Sequence, residues 1–334
     1  LAEFGTGLRR GDFTAEGVTA AYLARIEALD PQLGAFEFVA GEAALASARA
    51  LDRLLAAGTD LGPLMGVSVA VKDIFAVDGM PTRHGSKVDV SDLVRDQGRF
   101  VDKMKQSGCV ILGKTKTVEF ALGALGTNAV RGTPHNPWDA ATARAPGGSS
   151  SGSAVAVAAG LCAFAIGSDT GGSVRLPSAF CGTFGIKTTH GLWPTDGVFP
   201  LAPHLDCIGL LTRSAADAAI AFAALSDLPP PQRCSVDGLR FGRPDYFFEN
   251  LDLEVDVAVS TALDALAAAG AEIIPLSLPE AAERETFFPN VLPAELIAAL
   301  GRERYLSNKD IMDPVVSARA EKGLEVLASD YLRA

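Results

Sequence analysis

Histidine is scarce in this sequence, four residues among 334, and no two of them stand at the H-x-x-x-H spacing that a zinc site on a helix uses. No metal and no cofactor is therefore expected. Cysteine is equally uninformative as a framework: Cys109, Cys162, Cys181, Cys207 and Cys234 are odd in number and far apart. Four of them sit among apolar residues, which points to reduced core thiols rather than disulfides, and so to the cytoplasm. Basic charge is also in deficit, 29 Lys and Arg against 40 Asp and Glu for a net charge of -11. That balance leaves no electrostatic footprint for nucleic acid or an anionic membrane surface, and it argues against a polyanionic substrate. Long apolar runs are missing too. The longest, Ala154 to Gly167, falls short of the roughly 18 residues of a membrane span, and Gly160 divides it. It reads as a helix followed by a buried strand. Residues 1–12 carry charges and glycines rather than a basic end and an apolar core, so no signal peptide is expected, and the absence of Met at position 1 leaves the natural start open.

What is present is the composition of a globular enzyme, 48% hydrophobic. Thr14 can cap a helix running to Leu29, ended by Asp30-Pro31, and a second helix spans 41–57 up to Gly58. The Val-dense segment 66–72 reads as a strand that delivers Lys72 to its end, where α/β enzymes tend to place chemistry. From Phe100 a helix, Gly108 and a strand at 109–112 follow. Helices at 215–225 and 253–269 then alternate with strands at 239–243 and 272–276. This alternation predicts an α/β fold: a mixed, largely parallel central sheet covered by helices on both faces. Pro229-Pro230-Pro231 reads as a surface connection within one domain spanning 1–334, with an N-terminal helical segment over 1–60. The tail from Pro293 is helical and lacks a closing Gly or Pro, so the C-terminal part is read as incomplete.

Two Gly/Ser loops carry the chemistry. The first is Pro146-Gly-Gly-Ser149-Ser150-Ser151-Gly-Ser153. The second is Gly167-Ser-Asp169-Thr170-Gly171-Gly172-Ser173-Val-Arg175, and one helix and one strand separate them. Glycine lets a backbone approach a substrate closely, so the N-H groups of Thr170, Gly171, Gly172 and Ser173 could form an oxyanion cradle, with a hydroxyl inside it as nucleophile. A plain flexible linker is the bland alternative, but linkers seldom join apolar elements that must pack. A sharper decoy is Gly148-Ser-Ser150-Ser-Gly152, which matches the G-x-S-x-G elbow of another hydrolase class. That elbow needs a strand before it, and residues 139–146 are not a convincing one.

These loops resemble the amidase signature family. The resemblance extends to the lysine-bearing strand of residues 66–73, the turn of residues 79–86, Gly113-Lys-Thr115 with Glu119-Phe120, Pro134-His-Asn-Pro-Trp138, and Gly185-Ile-Lys187. It covers most of residues 14–225, with a signature core about 60–225, and fades afterwards. It implies a hydrolase that cleaves the C-N bond of a small carboxamide or a carbamate or urea-like molecule. Ser173 would be the acyl-accepting nucleophile, Ser149 the relay and Lys72 the base. The interval of 24 residues between the two serines agrees with the family. The resemblance also implies a cis Gly148-Ser149 peptide and support of the loops by Gly148, Ser150, Asp169 and Arg175.

The chemistry of such a triad stands on its own terms. A serine hydroxyl attacks well only if a base takes its proton, and a neutral lysine can do that once its pKa falls from about 10.4 to roughly 7 or 8. Burial, or a positive neighbour such as Lys187 or Arg175, would lower it. Asp73, next in the strand, should face away from Lys72. His190 and His204 are the late candidates for a Ser-His arrangement instead. Where family members commonly carry Gly and Pro, this chain has Ser151 and Thr188. Residues 204–206 and the helices around 287–300 are candidate pocket walls. Two other functions stay open: the glutaminase subunit of a tRNA-dependent amidotransferase, although Lys116-Thr-Val-Glu departs from its expected segment, and a non-enzymatic binding protein on the same fold. The partner expected is a small amide or carbamate, with no nucleic acid bound directly, no membrane, and a homodimer left open.

Overall fold

A computed structural model describes residues 1–229 and 231–334; Pro230, within the proline run read as a surface connection, lies outside the described residues. The strands are β1 (Phe36–Val39), β2 (Ser68–Lys72), β3 (Val110–Thr115), β4 (Phe164–Asp169), β5 (Phe184–Lys187), β6 (Cys207–Thr212), β7 (Arg240–Pro244) and β8 (Glu272–Leu276). The first six form one sheet in the order β1-β3-β2-β4-β6-β5. Its centre, β3-β2-β4, pairs in parallel, while β1, β6 and β5 join through antiparallel ladders. Four strands, β2 to β5, consequently point the same way, which is the sense in which the sheet is largely parallel.

Alternation along the central strands explains why helices cover both faces. Val69, Val71, Phe164 and Ile166 enter one apolar cluster, together with Met104 of helix Arg99–Gln106 and Leu225 of helix Ala215–Ser226. Ala70, Val110, Leu112 and Ala165 enter another, together with Ala48 of helix Gly41–Ala56 and the fully buried Ala154–Val157 segment of helix Ser151–Ala158. Successive strand residues point to opposite faces, and a strand buried on both reads as the near-continuous apolar run seen at 66–71, broken only by Ser68.

Some expectations need correction. The first long helix does not stop at Asp30-Pro31; it runs Ala15–Leu33, with Thr14 accepting from Gly17 N-H at its start and Gly34 closing it in the left-handed region. The Asp30 carboxylate accepts from the N-H groups of Ala35 and Phe36, so the signal read as a stop instead organises the exit from the helix. The segment 1–60 read as helical does open on a short helix, Ala2–Arg10, but it also contains β1, the edge strand of the main sheet. β7 and β8 do not extend the main sheet. They pair with each other in parallel across helix Leu253–Ala268, a self-contained strand-helix-strand unit.

The motif Gly113-Lys114-Thr115 has a separate structural reason at each position. A Cβ at Gly113 would stand 2.1 Å from the Phe38 carbonyl oxygen, so only glycine lets β1 approach there. Lys114 is buried and forms an ion pair with Asp73 at 3.0 Å, and Thr115 Oγ1 hydrogen-bonds Ser153 Oγ at 2.7 Å. Among the described residues no helix is long and apolar enough to cross a membrane.

Candidate active site

Lys72 and Asp169 end two adjacent parallel strands, β2 and β4, and both Gly/Ser loops lie at that carboxyl edge. Open α/β sheets generally place ligands at this edge. Lys72 is wholly buried. Its Nζ lies 2.6 Å from Ser149 Oγ and 2.8 Å from Ser168 Oγ. Burial pulls the Lys72 ammonium down from the ordinary lysine value to about 7, against the opposing pull of the Asp169 and Asp206 carboxylates. No positive neighbour is needed. Lys187 donates instead to the Thr188 carbonyl at 2.6 Å, and Arg175 is held by Asp169. Asp73 turns away from Lys72, accepting from Lys114 Nζ and from Arg83 N-H.

Ser149 is also fixed through its backbone. Its peptide bond with Gly148 is cis, and its carbonyl accepts from Val118 N-H at 3.2 Å and Thr117 Oγ1 at 3.0 Å. Gly148 N-H donates to the Ala124 carbonyl at 2.7 Å. A Cβ at Gly148 would stand 2.7 Å from both the Gly123 oxygen and the Gly126 nitrogen, so the two loops meet backbone to backbone. Gly148→Ala is expected to cost about 1–3 kcal/mol of stability through this overpacking and to lower activity with it. A thermal melt matching the parent would refute the clash. No strand precedes this loop: residues 139–146 are turn and irregular chain, which removes the nucleophile-elbow reading.

The second loop is built around Asp169. Its carboxylate accepts from Gly172 N-H (2.8 Å) and Val174 N-H (3.0 Å), and from Arg175 Nε (3.0 Å) and Nη2 (2.8 Å). Burial raises the Asp169 pKa, but the bonds from Arg175 and the backbone outweigh it and hold the carboxyl below the usual range. One expectation changes here. The Gly172 N-H is already engaged by Asp169, so the loop donors without a protein acceptor, among the described residues, are those of Thr170, Gly171 and Ser173. Ser150 ties the loops together, with its N-H donating to the Ser173 carbonyl at 3.1 Å and its Oγ to the Ser168 carbonyl at 3.3 Å. Ser151, the departure from family glycine, is buried at the start of helix Ser151–Ala158, and its hydroxyl has no partner.

Ser173 Oγ makes no hydrogen bond among the described residues, and none joins it to Ser149 Oγ; it opens onto a cavity of about 390 Å³. Thr170 and Gly171 share that wall, and Ala121 to Ala124, Phe288 and Leu292 face them. The guess that helices near 287–300 line the pocket therefore holds for Phe288 and Leu292, one turn apart on helix Arg284–Leu300. Residues 204–206, the other candidate walls, do not line this cavity; Asp206 instead supports its wall through Thr170. It accepts from Thr170 Oγ1 at 2.5 Å and from the N-H groups of Leu201 and Ala202, and burial raises its pKa. His190 lies on the surface against the Pro203 carbonyl, His204 is exposed, and neither bonds to Ser149 or Ser173.

Sequence reasoning missed Ser168, the second hydroxyl on Lys72. Its position beside Asp169 at the end of β4 was the available signal. It also left unexplained the Pro134–Trp138 block, which braces the approach to Ser149: Asn136 Nδ2 donates to the Ala145 and Phe180 carbonyls, and Trp138 Nε1 to that of Cys181. Glu119 is a further buried group. Its carboxylate accepts from Ser86 Oγ and from Asp313 N-H, each at 2.6 Å, and burial pushes its pKa up to about 7 against those two bonds.

A buried lysine hydrogen-bonded to serines beneath a glycine loop is the arrangement that acyl-transfer chemistry requires. The family comparison agrees: the amidase family model matches residues 17–330, well past the region where the motifs fade, and the chain belongs to that family. It is 40% identical over 339 residues to 2-amino-5-chloromuconic acid deaminase of Comamonas testosteroni, covering all of this chain and 73% of that protein. It is 38% identical over 344 residues to a glutamyl-tRNA(Gln) amidotransferase subunit of Thioalkalivibrio sulfidiphilus (strain HL-EbGR7), covering 96% of this chain and 70% of the relative. Among solved structures it superposes on a crystal structure of an amidase with a TM-score of 0.92 at 33% identity, over 99% of this chain and 75% of that one. The native peptide amidase of Stenotrophomonas maltophilia gives a TM-score of 0.82 at 28% identity, over 99% and 77%. The protein is an amidase-signature hydrolase.

Proposed function

We propose that this chain hydrolyses the C-N bond of a small carboxamide, or of a carbamate or urea-like analogue, through an acyl-enzyme on Ser173. The observation that carries the reading is the 2.6 Å contact between Ser149 Oγ and a fully buried Lys72 next to the Ser173 loop. The substrate carbonyl enters the cavity with its oxygen toward the free N-H groups of Thr170, Gly171 and Ser173. As Ser173 Oγ attacks, its proton passes to Ser149 Oγ, and the Ser149 proton passes to neutral Lys72. Lys72 returns a proton by the same path to the departing nitrogen, which leaves as an amine or ammonia rather than as a poor anion. Water then repeats the relay and releases the acid. Ser168 holds the Lys72 amine in line, and Asp169 keeps the donor loop rigid, so that little reorganisation accompanies charge development.

Intact-mass analysis after incubation with a fluorophosphonate tests the reading. One adduct is expected, on Ser173, forming faster as pH rises through about 7, where Lys72 loses its proton. A folded protein that forms no adduct at any pH would remove Ser173 as nucleophile.

A second reading, ammonia release from glutamine for tRNA-dependent amidation, draws support from the similarity to the amidotransferase relative. It predicts glutaminase activity that depends on a co-expressed partner.

A further inference from the structure

The cavity in front of Ser173 has a charge opposite to that of the chain. The protein as a whole carries a net charge of -11, yet the ionisable side chains lining this cavity are Arg284, Arg319 and Lys322, with no Asp or Glu among them. Arg319 and Lys322 stand one turn apart on helix Pro314–Lys322, and Arg284 begins the facing helix Arg284–Leu300. Neither Arg319 nor Lys322 makes a side-chain hydrogen bond or an ion pair among the described residues, although acidic residues are abundant. The acidic member of their own helix, Glu321, is turned away to Lys309 at 3.0 Å. Arg284 has only a long contact, 3.9 Å, with Glu285. Glu280, Glu283 and Asp330 line an adjoining cavity, which shares Thr170, Gly171, Leu176, Arg284 and Phe288 with the first. Between the cations and Ser173 the walls are apolar, with Leu176, Phe288 and Leu292 among them.

We infer that the substrate is an amide bearing a carboxylate, seated between Arg319 and Lys322 with Arg284 at the rim, while its apolar chain crosses the cavity to the carbonyl at Ser173. The inference rests on the Ser173 reading and adds the substrate's charge to it. A carboxylate would receive charge-assisted hydrogen bonds from side chains that otherwise have no partner. Within the lining that holds the three cations an α-ammonium would meet no acid and would lie beside like charge, so the favoured compound is the monoamide of a dicarboxylic acid rather than an amino-acid amide. Hydrolysis of such a compound consumes one water and yields the dicarboxylate and ammonia.

Three amides separate the cases: glutaramate, its neutral counterpart hexanamide, and glutamine, which differs from glutaramate by the α-ammonium. We expect kcat/KM for glutaramate to exceed that for hexanamide by about tenfold or more, with glutamine below glutaramate. In an Arg319→Gln, Lys322→Gln double variant, the glutaramate-to-hexanamide ratio falls toward one; because the ratio is internal to each protein, loss of active material does not mimic it. In the parent protein, glutarate should also slow fluorophosphonate labelling of Ser173. Equal or better turnover of hexanamide overturns the inference while leaving the Ser173 reading intact. So does labelling of Ser173 that glutarate does not slow, with none of the amides cleaved. If neither labelling nor turnover occurs in folded protein, the underlying reading fails and the inference falls with it.

Discussion

Ser173→Ala is expected to cleave amides about 10⁴-fold or more slowly than the parent, with its melting temperature unchanged. The two halves of that expectation have separate causes. Ser173 Oγ has no hydrogen-bond partner among the described residues and lines the cavity, so removing it leaves none of their buried polar groups unsatisfied. The backbone carbonyl of residue 173, which accepts from Ser150 N-H, is untouched by the change. The chemistry, by contrast, loses the atom that forms the acyl bond, and the remaining cradle can only assist slow attack by water. Turnover of an anilide by protein free of contaminating parent, alongside a thermal melt, checks both. Parental turnover would sink the acyl-enzyme. A collapsed melt would show that the serine has a structural task that the hydrogen bonds do not reveal.

Lys72→Met is expected to lower kcat/KM by about 10²–10⁴-fold, the usual contribution of a positioned general base, and to abolish the rise of activity with pH. In the parent, neutral lysine is the active form, so log kcat/KM should climb as pH rises and level off above about 7. Stability gives an independent readout. The folded pKa of Lys72 lies below its unfolded value, so between about 7 and 10 the unfolded chain binds more protons and the parent gains stability as pH rises. Methionine has no such linkage. The stability of the variant relative to the parent should therefore decline as pH is raised through that window. A difference that stays flat would mean that Lys72 is not held neutral in the folded protein, and the relay would lose its base.

How much of this was legible in advance depends on whether the signal was local. The Val-dense run into Lys72 and the apolar stretch split at Gly160 announced β2, β4 and the helix between the serine loops, because burial on both faces leaves a near-continuous apolar pattern. The loops themselves were legible because glycine and serine have no cheap alternative where backbones meet, as Gly148 does against Gly123 and Gly126. Contacts between distant segments were not legible. The place of Ser168 beside Asp169 marks a strand end but does not say that Lys72 reaches it from the neighbouring strand, and nothing near Gly172 says that Asp169 claims its N-H. Three strands of the main sheet, β1, β5 and β6, were not read at all: β1 and β5 are only four residues long, and Gly209 interrupts β6. Net charge is silent on local lining: a chain-wide excess of acid coexists with one cavity that gathers Arg284, Arg319 and Lys322 from helices remote in sequence from the serine loops.

The bond from Asp313 N-H to Glu119 spans 194 residues, and it joins the two sides of the cavity: Ala121 to Ala124 follow Glu119, and Arg319 and Lys322 follow Asp313. During synthesis from the N-terminus, Lys72, Ser149 and Ser173 have all left the ribosome long before residue 313 does. On the Ser173 reading, the residues that would attack a carbonyl are therefore synthesised before those that would select which one.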